Sequence, residues 1–300
     1  MGIVTLVAVA LGWWLFAPRH TAHREQRAKP VAVATPQESP AAEPTETAEV
    51  APATAAPTAT PVPGTPLPAV TKPPNAGAPK LALIVDDCGQ WIDTERGFIA
   101  LGIPLTMSVL PDVHYTATIA NEASSAGKGV MLHLPMETVS GLNPGPGKVT
   151  TEMSDAQIDE QVENDLAQVP LARGVNNHEG SKASADERVM RDVIGVLAKH
   201  GDLFFIDSKT SAQSVGEQVA AGDGVPTAAR DVFLDNQESV DYTEAQLREA
   251  AAIARKTGSA IAIGHPRPTT LAAVKAMIPE LQASGIEFVL AGDLVASDPK

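Results

Sequence analysis

Cysteine is nearly missing from this chain: Cys88 stands alone among 300 residues. No disulfide can form within the chain, so the fold must rest on packing rather than cross-links. Aromatic residues make up only 4% of the sequence, too few to read an extended stacking platform. Lys and Arg number 22 against 36 Asp and Glu, a net charge of −14. That balance makes nucleic acid and anionic membrane surface poor partners for the globular part. No glycine-rich fingerprint follows the first strand-like run, which weakens a nucleotide-binding reading.

The chain divides into three by composition. From Ile3 to Phe16 it is apolar apart from Thr5 and Gly12, and Arg19, His20, His23, Arg24, Arg27 and Lys29 follow. The run suits a signal-peptide core better than a membrane span of roughly 20 residues. Its basic flank lies on the side opposite to that expected for simple export, and Trp13 and Trp14 suit a membrane interface. Residues 1–17 are therefore expected to form an N-terminal signal or anchor that gives the chain a membrane contact. Residues 18–79 are rich in Pro, Ala and Thr, with about half of the chain's prolines. They hold too little bulky apolar surface to offset ordering entropy, so a disordered spacer is expected. Such a spacer holds a domain away from a membrane, as in a cell envelope or periplasm. Residues 80–298 are long enough for one domain with a substantial core.

Within that domain strands and helices alternate. Leu81-Ala82-Leu83-Ile84-Val85 reads as a strand buried on both faces. Further strands are expected at Leu105–Leu110, Val130–His133, Gly174–Asn177, Leu203–Ile206, Val232–Leu234, Ala260–Ile263 and Phe288–Leu290. Helices are expected over Trp91–Leu101, Tyr115–Ala126, from the capping box of Ser154 and Gln157 to Gln168, over Asp186–His200, from Asp241 with Glu244 to Gly258, and from Thr269. Short connections between alternating elements predict a parallel sheet with its helices outside. The fold class is therefore α/β, a distorted (β/α) barrel with seven or eight parallel strands; an open doubly wound sheet is the alternative.

Asp86, Asp87, His133, His178, Asp207, Asp235 and His265 all fall at the carboxyl ends of these strands, the face on which β/α barrels build their sites. Asp207 and Asp235 also suit helix caps, which occupy the same edge. Adjacent carboxylates such as Asp86 and Asp87 need compensation by a cation, a proton or strong donors. Two neutral imidazoles and a carboxylate are a common donor set for catalytic zinc, and Asp87, His133 and His178 can supply it. Cys88 reads either as a further thiolate donor or as a small buried residue. Asn177, Ser181 and Ser208 are candidates to orient the ligands or bind substrate hydroxyls. The Gly- and Pro-rich stretch from Pro135 to Thr151 is long for a connection and suits a loop that shapes access.

The segments Ile84-Val85-Asp86-Asp87-Cys88-Gly89, His133-Leu134-Pro135-Met136-Glu137, Asn177-His178-Glu179-Gly180-Ser181, Phe205-Ile206-Asp207-Ser208-Lys209-Thr210 and Gly264-His265-Pro266 together resemble the divergent polysaccharide deacetylases. These are an offshoot of the metal-dependent carbohydrate esterases with a distorted β/α barrel. The resemblance implies that Asp86 is a general base, that Asp87 binds a divalent metal, zinc by its donors, and that His265 protonates the leaving group. It also implies an acetylated glycan as substrate. The broader superfamily usually takes its two metal histidines from one short motif, whereas His133 and His178 come from different strands. A non-catalytic glycan-binding or scaffolding module on the same fold is the alternative reading.

Overall fold

Nine strands, every pair of them parallel, build one curled sheet in a computed structural model that describes residues 77–295. The strands are β1 (Lys80–Cys88), β2 (Thr106–Val109), β3 (Gly129–Met136), β4 (Gly174–Glu179), β5 (Phe204–Asp207), β6 (Thr227–Ala229), β7 (Val232–Phe233), β8 (Ser259–Gly264) and β9 (Glu287–Val289). Eight run in the order β6-β5-β4-β3-β2-β1-β8-β7, and β9 pairs with the start of β1. The outermost strands, β6 and β7, are joined by Arg230 and Asp231 but do not pair with each other. The barrel is thus distorted, with a seam at that point. The expected N-terminal segment, nearly all of the spacer and the last residues to 298 lie outside the described residues. Among the described residues, no helix is long and apolar enough to cross a membrane.

Among the described residues, seven helices cover the sheet: α1 (Ile92–Ile99), α2 (Thr116–Ser125), α3 (Asp155–Gln168), α4 (Glu187–His200), α5 (Gly216–Gly222), α6 (Val240–Thr257) and α7 (Pro268–Ala283). Their ends follow local chemistry. Gln157 Oε1 accepts from Ser154 N at the start of α3, as the capping box requires. Asp186 caps α4 by accepting from Val189 N, and the helix stops at left-handed Gly201. Helix α6 starts earlier than its sequence suggests. Ser239 is the cap, accepting from Tyr242 N, and Asp241 lies in the first turn, where a negative charge favours the helix dipole. The short elements β6 and α5 carry too little periodicity to be read from sequence and were not expected.

The core has two compartments. The larger one lies between sheet and helices and takes Leu81, Leu83 and Val85 from β1. The smaller contains no α-helical residue: Ala82, Ile84, Met131, Phe204, Ile206, Ile261, Ile263, Val289 and Ala291 fill the concave interior of the sheet. Because successive strand residues point to opposite faces, this second set fixes which positions on each strand look inward. The floor is closed by a short 3-10 turn, Ala291–Leu294, whose first amide donates to Thr106 Oγ1.

Candidate metal and acid–base site

Inward alternation along β1 runs Ala82, Ile84, Asp86, so a regular strand would turn Asp87 outward. A bulge prevents this. Val85 pairs with Met107 and Cys88 with Val109, leaving one extra residue in β1. Asp87 takes a left-handed φ of 57° there. Bulges redirect side chains next to sites in this way, and both carboxylates come to face the same mouth. The turn that follows is pinned by Glu95 of α1, which is fully buried. Its Oε1 accepts from the amides of Gly89, Gln90 and Trp91 at 2.8–3.0 Å.

Three atoms converge on the bulge. His178 Nδ1 lies 2.8 Å and His133 Nε2 3.2 Å from Asp87 Oδ1, and the two ring nitrogens are 3.2 Å apart. Asp87 Oδ1 is buried and makes no well-aligned hydrogen bond. A tetrahedral cation with ligand bonds of about 2.0–2.1 Å separates its donors by roughly 3.3 Å. This triangle of two imidazole nitrogens and one orphaned carboxylate oxygen therefore has the size and chemistry of one face of such a shell. The residues fit a divalent metal. Cys88 does not join them. It is fully buried, its thiol donates to Val85 O, and burial pushes its pKa well up, against the thiolate a metal would need.

Asn176 ties the triangle to Asp86. It is paired with His133 across β3 and β4 and is fully buried. Its Oδ1 accepts from His133 Nδ1 at 2.9 Å and from Ser108 Oγ at 2.5 Å. Its Nδ2 donates to Asp86 Oδ1 at 2.9 Å and Ser208 Oγ at 3.1 Å. A neutral imidazole that gives its Nδ1 proton to Asn176 leaves Nε2 free to face the triangle, the arrangement a metal ligand needs.

On the other side of the mouth His265 follows β8, continuing the inward series Ile261, Ile263. Its Nδ1 is 3.0 Å from Asp235 Oδ1, and Asp235 Oδ2 accepts from His265 N and Thr270 Oγ1. His265 Nε2 lies 3.7 Å from Asp87 Oδ2. The charges are arranged unequally. Burial raises the Asp86 pKa from its ordinary value despite His133 and His265 nearby. Asp87 moves the other way, because its two imidazoles outweigh its burial. Burial opposes the charged form of His133, but Asp86 and Asp87 prevail and lift it to about 8. His265 is raised too, its burial outweighed by Asp235 and Asp87.

Asp86, Asp87, His133, His178 and His265 are therefore brought together, with Ser208 and Asp235 directly behind them. Asn177, Asp207 and Ser181 are not. Asn177 and Asp207 stand one residue out of phase with the inward positions Asn176 and Ser208, so they face away. Asn177 Oδ1 accepts from Ser208 N, and its Nδ2 donates to Glu179 O. Asp207 organises its own loop, accepting from Lys209 N and Ser214 Oγ. Ser181 lies beyond β4 and accepts from Val139 N. Glu137 closes the base of the 135–151 loop by accepting from Thr151 N, Thr151 Oγ1 and Lys182 Nζ. Glu179 is exposed.

Sequence reading missed Asn176, Ser108, Thr270, Glu95, Arg230 and Phe233. Only Asn176 left a trace, as one member of a polar pair inside a strand.

A parallel β/α barrel with an Asp/His/His donor triangle and a buried carboxylate beside it places a candidate metal site on the C-terminal edge of the sheet. The family model of divergent polysaccharide deacetylases matches residues 83–295, and the chain belongs to that family. An uncharacterised protein of Haemophilus influenzae is 36% identical over 216 residues, 72% of this chain and 76% of that one. The uncharacterised protein YibQ of Escherichia coli K12 is 34% identical over 201 residues, 67% of this chain and 63% of that one. The crystal structure of an uncharacterised protein, ATU2773 of Agrobacterium tumefaciens C58, superposes with a TM-score of 0.69 at 24% identity, over 73% of this chain and 90% of that one. That likeness supports the fold.

Proposed function

We propose that the chain is a metal-dependent hydrolase that removes acetyl groups from an envelope or cell-surface polysaccharide. The observation that carries this reading is the triangle of Asp87 Oδ1, His133 Nε2 and His178 Nδ1, a buried oxygen with no aligned hydrogen bond beside two ring nitrogens, in a member of this family. Zinc suits these donors best, with other divalent transition metals as alternatives. Bound there, the cation supplies Lewis acidity toward an acetyl carbonyl.

The chain's own groups do the rest. Asp86 Oδ1 is held by Asn176, which leaves Oδ2 toward the mouth, 3.6 Å from His133 Nε2. A carboxylate so placed accepts the proton of an attacking water. His265 keeps a proton on Nε2, because Asp235 takes the hydrogen bond from Nδ1 and favours the charged ring. That proton passes to the departing amine or alkoxide. Apart from this chemistry, residues 80–298 form the working domain, 18–79 the spacer and 1–17 the segment that anchors it at a membrane or directs its export, a reading supported by composition alone.

The test measures bound zinc and acetate release from acetylated chito-oligosaccharides and acetyl esters for the wild type, Asp86→Asn, Asp87→Ala and His178→Ala. Asp86→Asn is expected to keep the metal and lose turnover, and the other two to lose both. Zinc content unchanged in Asp87→Ala and His178→Ala would remove the metal assignment. Full metal occupancy without turnover on any acetylated glycan would favour the glycan-binding alternative.

A further inference from the structure

Acid is in excess in this protein, and its arginines find it. Arg96, Arg173, Arg188, Arg191 and Arg248 each pair with a carboxylate. Arg255, the last residue but two of α6, donates to Ser284 Oγ. The two arginines left among the described residues are different, and both are at the mouth.

Arg230 occupies the seam between β6 and β7. Its Nε donates to Ser208 O at 2.7 Å and its Nη2 to Lys209 O at 3.0 Å, which fixes one edge of the guanidinium to the end of β5. Its carbon lies 5.1 Å from the centre of the Phe233 ring, and that ring meets the His265 ring edge-on at 5.3 Å. Arg267 follows His265 and donates from Nη1 to Asp235 O at 2.7 Å. Both side chains are held by main-chain carbonyls, which orient a guanidinium without neutralising it. Nη1 of Arg230, and Nε and Nη2 of Arg267, make no hydrogen bond to the described residues. Each residue is half-buried, so its charge is partly desolvated and still unpaired. Asp86, Asp207 and Asp231 lie within electrostatic range of Arg230 without forming an ion pair with it.

A half-buried guanidinium left unpaired among surplus carboxylates is costly unless another anion completes it. Fixing one edge and leaving the other open is the geometry in which arginine reads carboxylate or phosphate oxygens by paired donors. We infer that Arg230 and Arg267 form an anion subsite beside His265, and that the substrate is an acetylated glycan bearing an acidic group, carboxylate or phosphate, next to the sugar that loses its acetyl. The inference rests on the deacetylase reading for its substrate class. The subsite itself stands on the two side chains. Without them, an acidic glycan would meet Asp86, Asp87 and Asp235 with only His265 and the metal to offset the repulsion.

The experiment uses the full chain loaded with zinc. It compares kcat/KM for a neutral N-acetylated chito-oligosaccharide, an N-acetylated oligosaccharide carrying a sugar carboxylate, and one carrying a phosphate, in the wild type, Arg230→Gln and Arg267→Gln. The wild type is expected to favour one of the acidic substrates, and the favoured one identifies the anion. Each variant should lower the acidic-to-neutral ratio by roughly tenfold, the value of a charge-assisted hydrogen bond. A role confined to holding the seam would reduce all three substrates alike and leave the ratio where it was. A ratio unchanged in both variants, or a wild type that favours the neutral substrate, overturns the subsite. Calorimetric titration with the same oligosaccharides separates this result from the parent reading. If no substrate turns over but the acidic sugar binds and Arg230→Gln weakens it about tenfold, deacetylation fails and the subsite stands. Arg267, held by one bond at a helix start, supplies the arm least able to disturb folding.

Discussion

Replacing Asn176 with Ala would test whether one amide couples the base to the metal shell. The change removes four hydrogen bonds in a fully buried place: two to Oδ1, from His133 and Ser108, and two from Nδ2, to Asp86 and Ser208. At about 1 kcal/mol net for each, their loss sums to about 4 kcal/mol if nothing replaces them. Water entering the vacated volume recovers part of this, so about 2–4 kcal/mol is expected. For a domain of this size, that lowers the melting temperature by about 4–16 °C. Metal affinity should fall by about 10–100-fold, because the His133 ring loses the partner that fixes its tautomer. Thermal melts of the metal-free protein and competitive zinc titration read the two effects separately. A variant that melts lower yet binds zinc within twofold of wild type would refute the coupling. Asn176 would then be a core residue that merely sits next to a ligand.

Two other substitutions probe features of the same edge. Gly89→Ala places a side chain where φ is 109° and a Cβ would meet Val113 Cγ2 at 2.7 Å. It should cost about 1–3 kcal/mol and reduce zinc binding by shifting the Asp87 bulge; denaturant unfolding with an unchanged midpoint would count against it. Asp165 of α3 is fully buried, burial with Asp112 nearby raises its pKa to about 7, and its Oδ2 has no partner. A carboxyl whose folded pKa lies above its unfolded value stabilises the protein at low pH. That contribution is lost as pH climbs from about 4 to about 7. Asp165→Asn should therefore be increasingly stabilising relative to wild type across that window and level off above it. Melting curves that stay parallel from pH 4 to 8 would argue against the shift.

Much of the barrel was legible because strands buried on both faces write themselves as unbroken apolar runs, as Leu81–Val85 does. What could not be read were β6 and α5, three and seven residues long, where the pattern is too short to repeat. The site was legible as an edge but not as a set of directions. Strand ends collect every polar residue nearby, and the sequence treats Asn176 and Asn177, or Asp207 and Ser208, as equals. Parity separates them, and parity needs a reference: the interior series Ala82, Ile84, Met131, Ile206 and Ile263, visible only once the strands are paired. Asp87 breaks even that rule through its bulge. Arg230 stayed hidden for a further reason, since its value lies in a seam beside β6, a strand too short to predict.

The surplus residue in β1 has a consequence for how this chain tolerates change. Losing any one of Asp86, Asp87 or Cys88 would restore an even pleat against β2. Packing would survive, while one of the two acids was lost outright or swung to the helix side, and the three amides gripped by Glu95 moved out of reach. Length, more than composition, is the quantity this stretch must preserve: exchanges of side chain are graded injuries here, whereas a single-codon deletion would leave a sound barrel with a dismantled mouth.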